Sequence, residues 1–366
     1  MKSILLASAS IVAFAGAAAA EVSFGGDAEI GYNDEVENGF YWSVGLSVSA
    51  DQTLDNGLTV GFTLDVDIAN DDAFGLGDGD DDIALSDYVL SVTSDNAGLY
   101  FGDTDAAAQA HWSGVTNMET DGFAETDDGL DEEATLRGEA TFGSVTAAAS
   151  YFIIDANGGT DEDDLVGLQV AAVADMGQYN FILAYQEEAL SADTGLSADI
   201  DQIIGLAASS TFGSADVTFA YTSNSTDDTS SVGVEVAYPF GPVTATVFYV
   251  SEDGAAEDYN AGVEVGYSDG PVAVDFWYHT GNDEEIGLEG SYDVGNGVMV
   301  YAGYIQNDGD SDATELYVAG TYDLGGGAEL LVSYGEEGDT YAGDADEIGS
   351  GYEVNQGTTV AVSFDF

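Results

Sequence analysis

The chain of 366 residues carries 70 Asp and Glu against only two Lys and Arg, a formal net charge of −68. This balance excludes nucleic acid as a partner, because binding phosphates requires Lys and Arg, and it favours cations as counterions and as passengers. Disorder and a small disulfide scaffold are also excluded, since 45% of the residues are hydrophobic, 11% are aromatic and none is Cys.

The first segment has the features of a secretory signal. Lys2 precedes an apolar run over residues 4–15, and small residues continue to Ala20. The run is too short and too rich in Ala for a membrane-spanning helix, whereas a basic start, an apolar centre and a small-residue end are typical of a cleaved signal. We therefore expect residues 1–20 to be removed on export, leaving a single domain over residues 21–366.

Most of the remaining segments alternate apolar and polar residues with a period of two. The alternation is clear in residues 42–49, 58–67, 232–238 and 272–279, where mainly Val, Leu, Phe and Tyr occupy one parity. Successive side chains of a β-strand point to opposite faces, so each run predicts a strand with an apolar and a polar face. The polar face is acidic on most strands, and runs of about 10 residues cross a bilayer when tilted. We therefore favour a membrane barrel over a secreted sandwich or solenoid.

The connections between these runs are of two kinds. Short turns containing Gly recur at residues 55–57, 96–98, 142–143, 176–177, 212–213, 240–242, 269–271, 295–297 and 325–327. Longer acidic connections lie mostly between them, at residues 69–82, 104–132, 189–199 and 336–356. Short turns at one end and long loops at the other are typical of an antiparallel outer-membrane β-barrel with periplasmic turns and outer loops. Nine hairpins plus the first and last strands predict 20 strands, with 18 or 16 as alternatives.

The last segment is a predicted strand that ends in an aromatic residue. Residues 358–366 alternate to the end of the chain, with Val360, Val362, Phe364 and Phe366 on the face that would meet lipid. A strand with this ending is similar to the C-terminal assembly signal of outer-membrane barrels. The resemblance implies that role for Phe366.

The chain resembles a known family, the trimeric Gram-negative porins of the alphaproteobacterial type. The segments that carry the resemblance are Glu21-Val22-Ser23-Phe24-Gly25-Gly26-Asp27, Gly102-Asp103, Tyr322-Asp323-Leu324-Gly325-Gly326-Gly327-Ala328 and the terminal Phe366. The resemblance implies a homotrimer in outer-membrane lipid, with a water-filled pore for small hydrophilic solutes. Two features depart from the family: the predicted strand number exceeds its typical 16, and basic residues are almost absent.

The resemblance also implies that the third long loop folds inward and narrows the pore. In residues 104–132, Asp103 or Thr104 would cap a short helix over residues 105–112. The residues that would line the constriction are Asp103, Asp105, His111, Glu119, Asp121, Glu125, Asp127, Asp128 and Asp131. A solvated acidic surface loop is the alternative.

The pore wall should carry Asp65 and Asp67, and, beside the loop, Arg137 and Glu139. Arg137 is the one basic residue left after signal removal, and it shares the polar face of its strand with Glu139. It would pair with a loop carboxylate or neutralise Glu139, and the sequence does not separate these. A lumen of one charge sign should favour cations and repel anions.

Neither catalysis nor a tightly bound cofactor is expected. His111 and His279 are the only histidines, and no Gly-x-Ser-x-Gly or His-Glu-x-x-His motif occurs. Asp308, Asp310 and Asp312 are weak candidates for Ca²⁺ or Mg²⁺, because they do not complete an EF-hand. The sequence therefore predicts a cation-preferring outer-membrane diffusion channel. The alternatives are a substrate-selective channel and a non-conducting acidic surface protein or adhesin.

Overall fold

Twenty β-strands make up the ordered framework of the computed structural model, which describes residues 21–35, 39–70, 84–125, 134–154, 164–191, 198–307, 314–336 and 354–366. The predicted signal, residues 1–20, lies outside this part of the chain. The strands are β1 (Glu21–Asn33), β2 (Phe40–Thr53), β3 (Thr59–Asn70), β4 (Ala84–Ser94), β5 (Ala97–Gly102), β6 (Ala134–Phe142), β7 (Val145–Ile154), β8 (Asp164–Asp175), β9 (Tyr179–Gln186), β10 (Ile203–Phe212), β11 (Ala215–Asn224), β12 (Thr229–Phe240), β13 (Val243–Asp253), β14 (Tyr259–Asp269), β15 (Val272–Gly281), β16 (Glu285–Gly295), β17 (Val298–Asn307), β18 (Thr314–Gly325), β19 (Ala328–Glu336) and β20 (Gly357–Asp365). No helix in the described ranges is long and apolar enough to span a bilayer.

The strands form one closed ring. Each strand pairs in antiparallel register with the next, and β20 pairs with β1, with Val362 opposite Ile30. Beyond the last strand, the backbones of Phe366 and Gly26 exchange two hydrogen bonds of 2.9 Å. The predicted barrel and its count of 20 strands are confirmed. Because barrel diameter grows with strand number, this ring is wider than one of 16 strands.

The two ends of the ring differ as the turn pattern predicts. At one end, nine connections of two to five residues join the strands. In four of the two-residue turns only the first residue has positive φ, between 61° and 71°, and it is Gly143, Gly213, Gly241 or Gly270. A Gly at the first central position defines a type II′ turn, whose twist matches that of the paired strands. The longest connection lies at the other end, between β5 and β6, although residues 225–228 show that this end also has short connections.

The two faces of the ring are inverted relative to a soluble protein. Large apolar side chains on the outer face are exposed, among them Phe24 (57% exposed) and Val247 (56%). Polar side chains of the other parity are buried, among them Gln169 (0%), Ser231 (0%) and Glu289 (1%). An apolar outer surface on this scale is stable only against hydrocarbon, so the lumen lies on the polar side.

Candidate pore constriction

The described part of the third loop, residues 103–125, turns into the barrel directly after β5. Gly102 has φ 118°, and a Cβ atom there would lie 2.1 Å from the carbonyl oxygen of Tyr88, so only glycine fits. The amide of Asp103 donates to the Tyr88 carbonyl at 2.8 Å, and the Asp103 carboxylate accepts from the Tyr88 amide at 2.6 Å. Asp103 therefore fastens the start of the loop to β4.

The first limb of the loop forms a single helical turn, and the predicted helix over residues 105–112 is wrong. Ala110 donates to Ala106 and Trp112 donates to Ala108, at 2.9 and 2.8 Å, and the structure assigns turns to residues 107–111. Ser113 and Gly114 follow, and Gly is disfavoured in a helix by about 1 kcal/mol relative to Ala. The Trp112 ring instead lies over Gly205 of β10, where a Cβ atom would be 2.6 Å from it.

The second limb packs on the inner wall further round the ring. Val115 lies over Gly233 of β12 and is buried with Met118 against Phe248 and Val250 of β13. Asn260 of β14 donates to the carbonyl of residue 117 at 2.9 Å. Together, the two limbs follow the inner wall from β6 to β14, nine of the 20 strands. The loop is therefore a packed element inside the barrel.

The acidic side chains of the loop are distributed over its open and packed sides. Asp105, Glu119 and Glu125 are exposed, and the Gln109 amide donates to Glu125. Asp121 is only partly exposed and accepts a hydrogen bond of 3.0 Å from the Trp112 indole. Burial raises the pKa of Asp121, and nearby Glu119 adds to the rise while the indole opposes it. Asp127, Asp128 and Asp131 lie outside the described residues.

Beside the first limb, the wall residues Arg137 and Glu139 face the loop. Arg137 donates to the backbone carbonyl of Asp105 at 2.6 Å, and its guanidinium lies 4.9 Å from the Tyr100 ring centre. Glu139 accepts from the Tyr100 hydroxyl at 3.2 Å and lies 3.5 Å from the His111 ring nitrogen. Within the described residues, Arg137 forms no ion pair with a loop carboxylate or with Glu139, and its hydrogen bond there goes to a backbone carbonyl. Among the described residues, the contacts between a basic side chain and a carboxylate within 4 Å are His111–Glu139 and His279–Glu264.

Neutral donors position most of the hydrogen-bonded lumen carboxylates. Tyr317 donates to Glu289 at 2.5 Å, Thr116 donates to Glu235 at 2.8 Å, and further pairs are Trp277 with Glu285, Ser231 with Glu252 and Asn260 with Glu119. A hydroxyl, indole or amide orients a carboxylate without cancelling its charge. Sequence reasoning missed these pairs because the partners lie on different strands, or on a strand and the third loop, so that each pair depends on the strand register or on the path of the loop.

The rest of the wall is also acidic. Asp65 of β3 lies opposite Asp87 of β4, and Asp275 of β15 lies opposite Glu289 of β16. Asp67 lies opposite Gly45 of β2 on the same inner parity. The weak metal candidates Asp308, Asp310 and Asp312 lie outside the described residues. In the part of the chain that is described, no group of three or more His, Asp or Glu side chains is arranged to hold a metal ion.

The sequence matches a known protein family. A family model described as Gram-negative porin matches residues 7–342. Among solved structures, the chain is similar to a double mutant of the Rh. blastica porin, with 15% identity, coverage of 94% of this chain and 100% of that chain, and a TM-score of 0.49. A triple mutant of the Rhodopseudomonas blastica porin has the same identity and coverage, with a TM-score of 0.48. No curated protein matches the sequence. Since the family match spans nearly the whole chain, the protein belongs to the Gram-negative porin family.

Proposed function

We propose that this porin is a water-filled diffusion channel of the outer membrane, that it passes small hydrophilic solutes, and that it prefers cations to anions. The observation that carries the proposal is the way its lumen carboxylates are held. Tyr, Trp, Ser, Thr and Asn side chains orient them, while Arg137, the one described guanidinium, bonds to a backbone carbonyl. In the part of the chain that the structure describes, no Lys or Arg side chain is bound to a wall carboxylate.

The position of the third loop supports the same proposal. Its exposed side carries Asp105, Glu119 and Glu125, and the strands outside the β6–β14 section that the loop follows include Asp65 of β3 and Asp275 of β15. Acidic groups on both sides of a confined aqueous path concentrate cations and exclude anions. The wide ring of 20 strands supplies the space, and the loop narrows it.

Planar-bilayer recording tests the channel function. The purified protein should produce ohmic conductance steps in KCl, and three equal closing steps per insertion would support the homotrimer that we also propose. Absence of conductance from protein shown by circular dichroism to be folded would contradict the channel and favour the surface-protein alternative. Conductance that one solute blocks in a saturable manner would favour the substrate-selective alternative.

We also propose that Phe366 acts in membrane assembly. Its backbone closes β20 on Gly26, and its ring lies against that glycine. Phe366→Ala should lower the amount of protein in the outer membrane while export across the inner membrane continues, as measured by cell fractionation. Phe364→Ala is the matched control, because Phe364 is also an exposed aromatic residue of β20. Equal loss in both variants would contradict a special role for Phe366.

A further inference from the structure

Four inward-facing polar residues stand side by side across four consecutive strands. Arg137 of β6 lies opposite Ser150 of β7, Ser150 lies opposite Gln169 of β8, and Gln169 lies opposite Gln186 of β9. Ser150, Gln169 and Gln186 are 0–1% exposed. We refer to Arg137, Ser150, Gln169 and Gln186 as the polar belt.

Every member of the polar belt binds the backbone of the third loop. Arg137 donates to the carbonyl of Asp105 at 2.6 Å, and the Ser150 hydroxyl accepts from the amide of Ala107 at 2.7 Å. Gln169 and Gln186 make the remaining hydrogen bonds to the loop backbone. Because backbone groups are bound, the side chains of Asp105 and its acidic neighbours stay available to the lumen.

Gln169 joins the two limbs of the loop. Its carbonyl oxygen accepts from the amide of Ala108 at 2.9 Å, and its NH₂ group donates to the carbonyl of Ala124 at 2.8 Å. Gln186 also binds the second limb, since its oxygen accepts from the Ala124 amide at 2.8 Å. The backbone amide and the backbone carbonyl of Ala124 are thus both hydrogen-bonded, as they would be in a β-ladder.

The two glutamines also hold each other. The NH₂ group of Gln169 donates to the oxygen of Gln186 at 2.9 Å, and Gln186 in turn donates to the carbonyl of Asp201 at 3.0 Å. Burying an amide group without a hydrogen-bond partner costs free energy. The loop backbone and the two glutamines therefore supply each other's hydrogen-bond partners. Displacing the loop would leave these amides buried without their partners.

We propose that the polar belt, and above all Gln169, is the positioning element of the constriction: it holds the third loop by its backbone and so sets where the acidic side of the loop stands in the lumen. This inference rests on the proposed channel function. The hydrogen bonds from which it is argued are present in the folded barrel whether or not the barrel conducts. It assigns to a neutral side chain the control of a charged constriction.

Gln169→Met tests the proposal, because Met has a similar length and makes none of the hydrogen bonds of Gln169 to the loop backbone. Loss of buried hydrogen bonds worth about 1 kcal/mol each should raise the population of displaced loop by about tenfold or more. Single-channel recordings should then show a larger mean conductance, more open-channel noise and a weaker cation preference. The matched control is Asn33→Leu, which removes a fully buried amide of β1 that binds Gln356 and Thr359 on another part of the wall.

A label on the loop tests the same point without conduction. The chain has no Cys, so Ser113→Cys, at an exposed loop position, gives a single site for a spin label. Gln169→Met should increase the mobility of that label, and Asn33→Leu should leave it unchanged. If Gln169→Met does not fold, Gln186→Met serves in its place, because it removes the acceptor for the Ala124 amide together with the bonds of Gln186 to Gln169 and Asp201. Equal label mobility in the parent and in the folded glutamine variants would overturn the proposal, whatever the recordings show about conduction.

Discussion

Replacing Glu119, Asp121 and Glu125 together by Gln, Asn and Gln should reduce the cation-to-anion permeability ratio by about fivefold or more. A carboxylate 4 Å from a passing monovalent cation contributes about 1 kcal/mol even in a dielectric as high as that of water, and 1.4 kcal/mol is a factor of ten. Reversal potentials in a KCl gradient measure the ratio. The neutral replacements keep the size and hydrogen-bonding capacity of the side chains, so the path of the loop should persist.

The matched control for this change is another triple neutralisation. Asp55, Asp95 and Asp269 are exposed residues at the short-turn end of the barrel, and their replacement by Asn removes the same charge. A smaller loss of selectivity is expected there, because salt screens charges beyond about 10 Å at 0.1 M. Equal losses in both variants would contradict a selective constriction at the third loop. An anion-preferring parent channel would contradict the electrostatic proposal as a whole.

Salt and pH provide further tests of the same electrostatics. Selectivity should weaken as KCl is raised to 1 M, where the Debye length is about 3 Å. It should also weaken as the pH falls, and Asp121 should lose its charge early, because burial raises its pKa. Asp121→Asn should therefore weaken the selectivity at neutral pH and move the onset of the acid-induced loss to lower pH. An unchanged onset would mean that Asp121 does not contribute to the potential in the lumen.

The second large effect should be a loss of barrel stability at low salt. Two carboxylates directly opposite each other on neighbouring strands are destabilising by about 0.2–1 kcal/mol, and such pairs occur at Asp65 and Asp87 and at Asp275 and Glu289. The Debye length grows to about 30 Å at 0.01 M, so repulsion among distant carboxylates adds to these pairs. Between 1 M and 0.01 M NaCl, the melting temperature in detergent should fall by several degrees, on the order of 2–4 °C per kcal/mol.

Circular dichroism melts over a series of NaCl concentrations measure this effect. Asp275→Asn should raise the melting temperature at low salt and flatten its salt dependence, because it removes one of two opposed charges. Asp269→Asn is the control, since it removes a charge from an exposed turn of the same hairpin. Choline chloride should act like NaCl if screening is the cause. A melting temperature that is independent of salt would show that the opposed carboxylates do not repel in the folded barrel.

The strand framework could be predicted from the sequence because it depends on local geometry. Side-chain direction alternates along any β-strand, so the apolar and polar parities define the two faces without knowledge of the partner strands. The turns are equally local, as Gly143 and Gly213 show, because a type II′ turn requires a positive φ at its first central residue. Nine such short connections determine the strand number once the ring closes.

The contacts that hold the constriction could not be predicted from the sequence, because they depend on the tertiary structure. Gln169 binds Ala108 and Ala124, which are 61 and 45 positions away, and both contacts follow from the register of β8 beside the folded loop. The partner of Arg137 could not be predicted for the same reason, since a guanidinium can donate to any nearby oxygen and the path of the loop places the Asp105 carbonyl there. Local rules determine which side of a strand a residue occupies. Which group it meets across the lumen is decided by the closure of the ring and by the packing of the loop inside it.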